Sequence, residues 1–152
     1  MNTAATQYIV PILAGGGTRL PAHVGVLTAL RDMDYQYRHI VGVSGGSVVA
    51  ALAAFGRTPE EMRNMFREVD FSQFRGYSLT NLLWRGGLSN GKRFERWLEG
   101  EINKACFKDC PVDLNVVATD VRSGQPVIFN RKNTPDLSVA RAVLFSISIP
   151  LL

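Results

Sequence analysis

At 152 residues, with 46% hydrophobic and 20% charged side chains, the chain has the length of one domain and enough apolar surface for a core, which excludes a disordered or fibrous polymer. Its longest apolar run, Val48 to Phe55, falls well below the about eighteen residues of a membrane span, and no Lys or Arg precedes Arg19 to begin a secretory leader. The net charge of +4 is local: between Phe71 and Trp97, Arg75, Arg85, Lys92, Arg93 and Arg96 stand against Glu95 alone, so the rest is balanced and no nucleic-acid partner is expected.

Tyr8 to Ala14 reads as a short buried strand, made irregular by Pro11, which has no N–H to donate to a ladder. Gly15, Gly16 and Gly17 form a loop. From Pro21 onward Val24, Leu27 and Leu30 recur at helical spacing, with Ala29 and Met33 beside them, and Pro21 suits a first helical turn. His39 to Val43 is the next strand. Gly45 to about Phe55 is a helix apolar on all sides, hence buried. Thr58-Pro59-Glu60-Glu61 starts a helix that ends near Val69, with a Thr cap and carboxylates at the positive end of the dipole. Residues 71 to 90 read as irregular, and a helix follows over about Lys92 to Lys104. Leu114 to Thr119 and Pro126 to Asn130 are strands joined by a turn at Ser123-Gly124. A helix from Ser138 to about Phe145 leads into Ser146-Ile147-Ser148-Ile149-Pro150. Alternating strands and helices predict an α/β layered fold with a mostly parallel central sheet flanked by helices.

Cys106 and Cys110 lie four apart with no second pair, so neither a disulfide framework nor a four-cysteine zinc site can be built from them. A reducing cytoplasm is the expected location, and neither a metal nor a cofactor is expected.

Ser44 lies at the sharpest change of pattern, in Gly42-Val43-Ser44-Gly45-Gly46 between strand and helix. Two readings compete. A serine there can cap the helix with its side-chain oxygen. It can also be a nucleophile on a tight strand-to-helix reversal, where side chains two positions away would collide and only glycine fits. The pentapeptide alone is a weak signal; the strand before it and the small-residue helix after it favour the nucleophile. A serine nucleophile needs a base and donors for the oxyanion. Gly15-Gly16-Gly17-Thr18-Arg19, at the preceding strand-to-helix junction, can supply main-chain donors together with the N–H of Gly45. The same glycines fit no nucleotide loop: Leu20 stands where a third glycine would be needed, and no Gly-Lys-Ser/Thr occurs.

Gly15 to Arg19, the run Pro21 to Leu30, Gly42 to Ser47, Ala118 to Phe129 and Ser146 to Pro150, in that order and over nearly the whole chain, resemble the patatin-like phospholipase family. The resemblance implies a lipid acyl hydrolase of phospholipase A or lysophospholipase type, acting on a phospholipid or other acyl lipid. Ser44 is then the nucleophile, Gly15, Gly16, Gly17 and Gly45 the oxyanion hole, and Gly42, Gly46 and Arg19 supporting residues. Leu20 departs from the family, which usually has glycine there. Family members pair the serine with an aspartate in an Asp-Gly motif beyond the segment resembling Ser146 to Pro150. This chain has no Asp-Gly and reaches only Leu152.

Nothing within the chain is a ready substitute. His39 lies five residues upstream of Ser44, on the order of 16 Å away along a strand. His23 reads as packed or capping, and Asp120 as a turn cap. Residues 1–152 are therefore expected to be the N-terminal portion of a longer acyl hydrolase domain, incomplete at its C-terminal end and inactive alone. The alternatives are a non-catalytic lipid- or partner-binding module and an acyltransferase; Val43, where acyltransferases of the related arrangement carry histidine, counts against the latter. The basic, aromatic segment 71–97 is either a lipid-facing lid in peripheral contact with a membrane or a cap with buried aromatics, and the cap is favoured.

Overall fold

The computed structural model describes residues 6–16, 19–68 and 88–148, with residues 88–90 described by backbone alone. The strand expected over Tyr8 to Ala14 is two short ones, β1 (Gln7–Tyr8) and β2 (Ile12–Ala14). The interruption falls at Pro11, which lacks an N–H but whose carbonyl still accepts from Val41 N at 2.9 Å. Helix α1 (Leu20–Asp32) follows the glycine loop with Pro21 in its first turn. A two-residue strand, β3 (Tyr35–Gln36), precedes β4 (His39–Val43) and was not expected from the pattern. Helix α2 (Gly45–Ala54) is buried at all of its residues, as its apolar composition demands.

Helix α3 (Pro59–Glu68) begins with reciprocal bonds: Glu61 N–H donates to Thr58 Oγ1 at 3.2 Å and Thr58 N–H to the Glu61 carboxylate at 2.7 Å. The helix expected from Lys92 starts earlier, as α4 (Leu88–Glu101). A 3₁₀ turn at Phe107–Asp109, also unexpected, leads to β5 (Asp113–Thr119), β6 (Pro126–Phe129) and α5 (Val139–Ile147), which Ser138 caps through Arg141 N–H.

Four strands form one sheet in the order β2-β4-β5-β6, the first three parallel and β6 antiparallel to β5, while β1 and β3 pair in parallel beside it. One face of the sheet, with Leu13, Ile40, Leu114 and Val116, is buried in the core with Val49 and Leu52 of α2 and Val139 and Val143 of α5. Buried Glu95 of α4 is paired with Arg141 and ties α4 to α5. The alternate residues of the strands, Ile12, Val41, Val43, Asn115, Val117 and Ile128, point to the other face. Among the described residues that face is half open, with Ile12 67% and Ile128 45% exposed. A mostly parallel sheet normally has both faces covered.

Candidate active site at the strand β4 to helix α2 junction

Register places the site. Ala14 of β2 pairs with Val43 of β4, and Val43 with Val117 of β5, so the glycine loop after Ala14 and the reversal after Val43 leave the sheet side by side at its carboxyl end. This is the end of a parallel sheet at which ligands bind.

Ser44 occupies the N-cap position of α2 with φ 52° and ψ −132°, a left-handed backbone that a residue with a Cβ rarely adopts. Its side chain makes no cap hydrogen bond. The hydroxyl is therefore not used where a cap would use it. Instead the backbone of Ser44 is held by other groups: Ser47 N–H and Ser47 Oγ donate to Ser44 O at 2.9 and 2.6 Å, and Ser44 N–H donates to Ser146 Oγ at 2.8 Å.

The flanking glycines are required by space. A Cβ on Gly42 would lie 2.4 Å from Ser47 Cα, and one on Gly46 would lie 2.1 Å from Leu13 O. Helix α2 packs this closely on β4 and β2 only because those side chains are missing.

In the preceding loop Gly15 and Gly16 have φ of 68° and 100°, which favours glycine. Gly15 N–H donates to Val43 O at 3.1 Å, so its amide is committed to the sheet, and among the described loop residues the donor left for an anion is Gly16 N–H. Arg19 N–H closes the turn on Gly16 O at 2.6 Å, and the exposed Arg19 stands at the N-cap position of α1. Gly17 and Thr18 lie outside the described residues. His23 Nε2 stands 3.2 Å from Gly15 O; a carbonyl only accepts, so Nε2 carries the proton and donates. A Cβ on Gly16 would meet the same imidazole at 3.0 Å.

The other candidates fall elsewhere. His39 pairs with Asp113 at 2.9 Å at the opposite, amino-terminal end of β4. Asp120 caps its turn: Oδ1 accepts from Arg122 and Ser123 N–H at 2.8 and 3.0 Å, and these bonds hold its carboxyl below the usual range. A cavity of about 340 Å³ also opens at the amino-terminal end of the sheet, between Tyr35, Tyr37, Phe55, Met62 and Val112, away from Ser44. Cys106 and Cys110 are unpaired, and burial pushes the Cys110 thiol up. Among the described residues, no three His, Cys, Asp or Glu side chains gather in a way that would hold a metal ion. No helix among them is long and apolar enough to cross a membrane.

Of the basic segment 71–97, residues 71–87 lie outside the described residues. In α4, Phe94 and Trp97 pack against the core with ring centroids 5.6 Å apart, while Lys92, Arg93 and Arg96 are exposed. These two are the aromatics of the segment among the described residues, and both are half-buried.

Sequence reading missed Ser146 and Ser47 as partners of Ser44. Ser47, three residues on, has a local signal, since a serine in the first turn of a helix can bond back to the cap carbonyl. Ser146 lies 102 residues away and has none.

A model of the patatin-like phospholipase family matches residues 12–152. The chain belongs to the patatin-like phospholipase family. It is 27% identical over 164 residues to YqhO of Bacillus subtilis (strain 168), covering 95% of this chain and 56% of that protein. It is 30% identical over 151 residues to the patatin-like phospholipase domain-containing protein NCU11180 of Neurospora crassa, covering 91% of this chain and 17% of that protein. Among solved structures, ExoU in its heterodimeric complex with SpcU from Pseudomonas aeruginosa superposes with a TM-score of 0.74 at 24% identity, covering 95% of this chain and 37% of that one. That likeness confirms the patatin-like α/β fold. This patatin-like chain therefore spans about half the length of YqhO and a smaller share of the others. Its family is one of lipid-ester hydrolases.

Proposed function

We propose that this patatin-like chain is the nucleophile-bearing, N-terminal portion of a lipid acyl hydrolase domain. In this reading Ser44 Oγ attacks the acyl carbonyl of a phospholipid or related lipid. The N–H groups of Gly45 and of the Gly16 side of the loop take the developing oxyanion. The ester oxygen leaves with a proton, and water then releases the fatty acid from the acyl-serine. The proton of Ser44 passes to an aspartate encoded beyond Leu152.

The observation that carries the reading is the state of Ser44 itself: a strained backbone between two sterically compelled glycines, with the side chain withheld from capping. Strain of this kind costs about 1–3 kcal/mol and persists where the surroundings over-determine it, often at functional sites. The half-open second face of the sheet is consistent with further chain packing there. The exposed Lys92, Arg93 and Arg96 are the described groups that would meet an anionic lipid headgroup.

Labelling the full-length gene product with an alkyl fluorophosphonate tests this. Ser44 is expected to be modified, and Ser44→Ala to take no label. A folded full-length protein that leaves Ser44 unlabelled would be a lipid- or partner-binding module instead.

A further inference from the structure

We propose that Ser146 is a positioning residue for Ser44, its hydroxyl fixing the nucleophile's backbone and removing Ser44's own amide from the set of oxyanion donors. The inference rests on the reading of Ser44 as nucleophile. Ser146 Oγ lies 2.8 Å from Ser44 N and 2.6 Å from Val117 O. A hydroxyl has one proton and two lone pairs, and a carbonyl oxygen only accepts. The proton therefore goes to Val117 O, and a lone pair receives the Ser44 N–H. The polarity of the bridge is forced, and it joins the last turn of α5, the end of β5 and the reversal after β4.

Both peptide groups around Ser44 are then held. The one before it is pinned on one side by Gly15 N–H on Val43 O and on the other by Ser146 on Ser44 N–H. The one after it is pinned by Ser47, whose buried hydroxyl and N–H both reach Ser44 O. Without the Ser146 hydroxyl, the peptide before Ser44 loses the bond that opposes relaxation of the φ 52° backbone, and Oγ moves with it. Turning the Ser44 N–H toward an oxyanion would break the same bond. The hole must therefore draw on Gly45 and the glycine loop.

In the full-length gene product, Ser146→Ala is expected to slow Ser44 labelling by an alkyl fluorophosphonate about 10- to 100-fold, the scale of a 1 Å misplacement, with half-saturating probe concentration unchanged. Ser146→Thr, which keeps the hydroxyl, is expected to restore most of the rate. A second arm does not depend on catalysis: by NMR, the Ser44 amide should exchange slowly with solvent in the wild type and faster in Ser146→Ala. Labelling of Ser146→Ala at the wild-type rate, or a freely exchanging Ser44 amide in the wild type, would overturn the inference. Should the folded wild type take no label, the hydrolase reading fails separately, and slow exchange of the Ser44 amide still upholds the Ser146 contact. The wild-type measurement decides even where Ser146→Ala does not fold.

Discussion

Gly46 and the carbonyl of Leu13 are so close that a methyl group on the glycine would sit 2.1 Å from the carbonyl oxygen. The obstacle is the backbone of strand β2, hydrogen-bonded to β4, which cannot swing aside as a side chain would. Gly46→Ala is therefore expected to force α2 away from β2. Overpacking of this kind costs about 1–3 kcal/mol, a fall of roughly 3–10 °C in melting temperature for a chain of this size. Thermal denaturation followed by circular dichroism measures it, and Gly42→Ala should behave alike, because its Cβ would meet Ser47 Cα.

Ser44 separates stability from activity. Glycine tolerates φ 52° without the strain of about 1–3 kcal/mol that serine bears, against an entropic cost of about 0.5–1 kcal/mol for the more flexible residue. Ser44→Gly should thus melt at or above the wild-type temperature, and Ser44→Ala, which keeps a Cβ, close to it. Both should lose fluorophosphonate labelling completely. A Ser44→Gly protein markedly less stable than wild type would mean that the Ser44 side chain contributes to the fold.

His23 holds the glycine loop through Gly15 O and is not expected to act as the base. His23→Ala should reduce labelling of the full-length protein about tenfold by loosening the loop. His23→Gln, which can still donate to Gly15 O, should retain most of the rate. Loss of all labelling in both variants would transfer the base role to His23.

The two thiols should differ sharply. Cys106 is half-buried, whereas Cys110 is buried and its thiol is pushed up by desolvation. With an aromatic disulfide reagent at neutral pH, the native protein should show one accessible thiol, Cys106, and the second only on unfolding. Because the folded thiol of Cys110 titrates above its unfolded value, its contribution to stability is complete below the ordinary thiol range of about 8.5 and is lost as pH rises through the folded value. Cys110→Ala should therefore flatten the alkaline fall of the melting temperature.

Features that depend on neighbours in sequence were legible without a structure. The apolar all-round pattern of residues 45–54 determined a buried helix, Thr58-Pro59-Glu60-Glu61 the capped start of the next helix, α3, and Gly-Val-Ser-Gly-Gly between strand and helix the place of the reversal, because each follows from local side-chain and backbone constraints over a few residues. The strand β3 and the early start of α4 were not legible, since two residues at Tyr35–Gln36 and the four-residue run Leu88 to Gly91 are too short to carry a period of their own. Tertiary structure alone decided that Gly15 commits its amide to Val43, that His23 serves the loop, and that a serine at 146 holds a serine at 44. Those contacts are hydrogen bonds set by parallel strand register and helix docking, which no local pattern encodes.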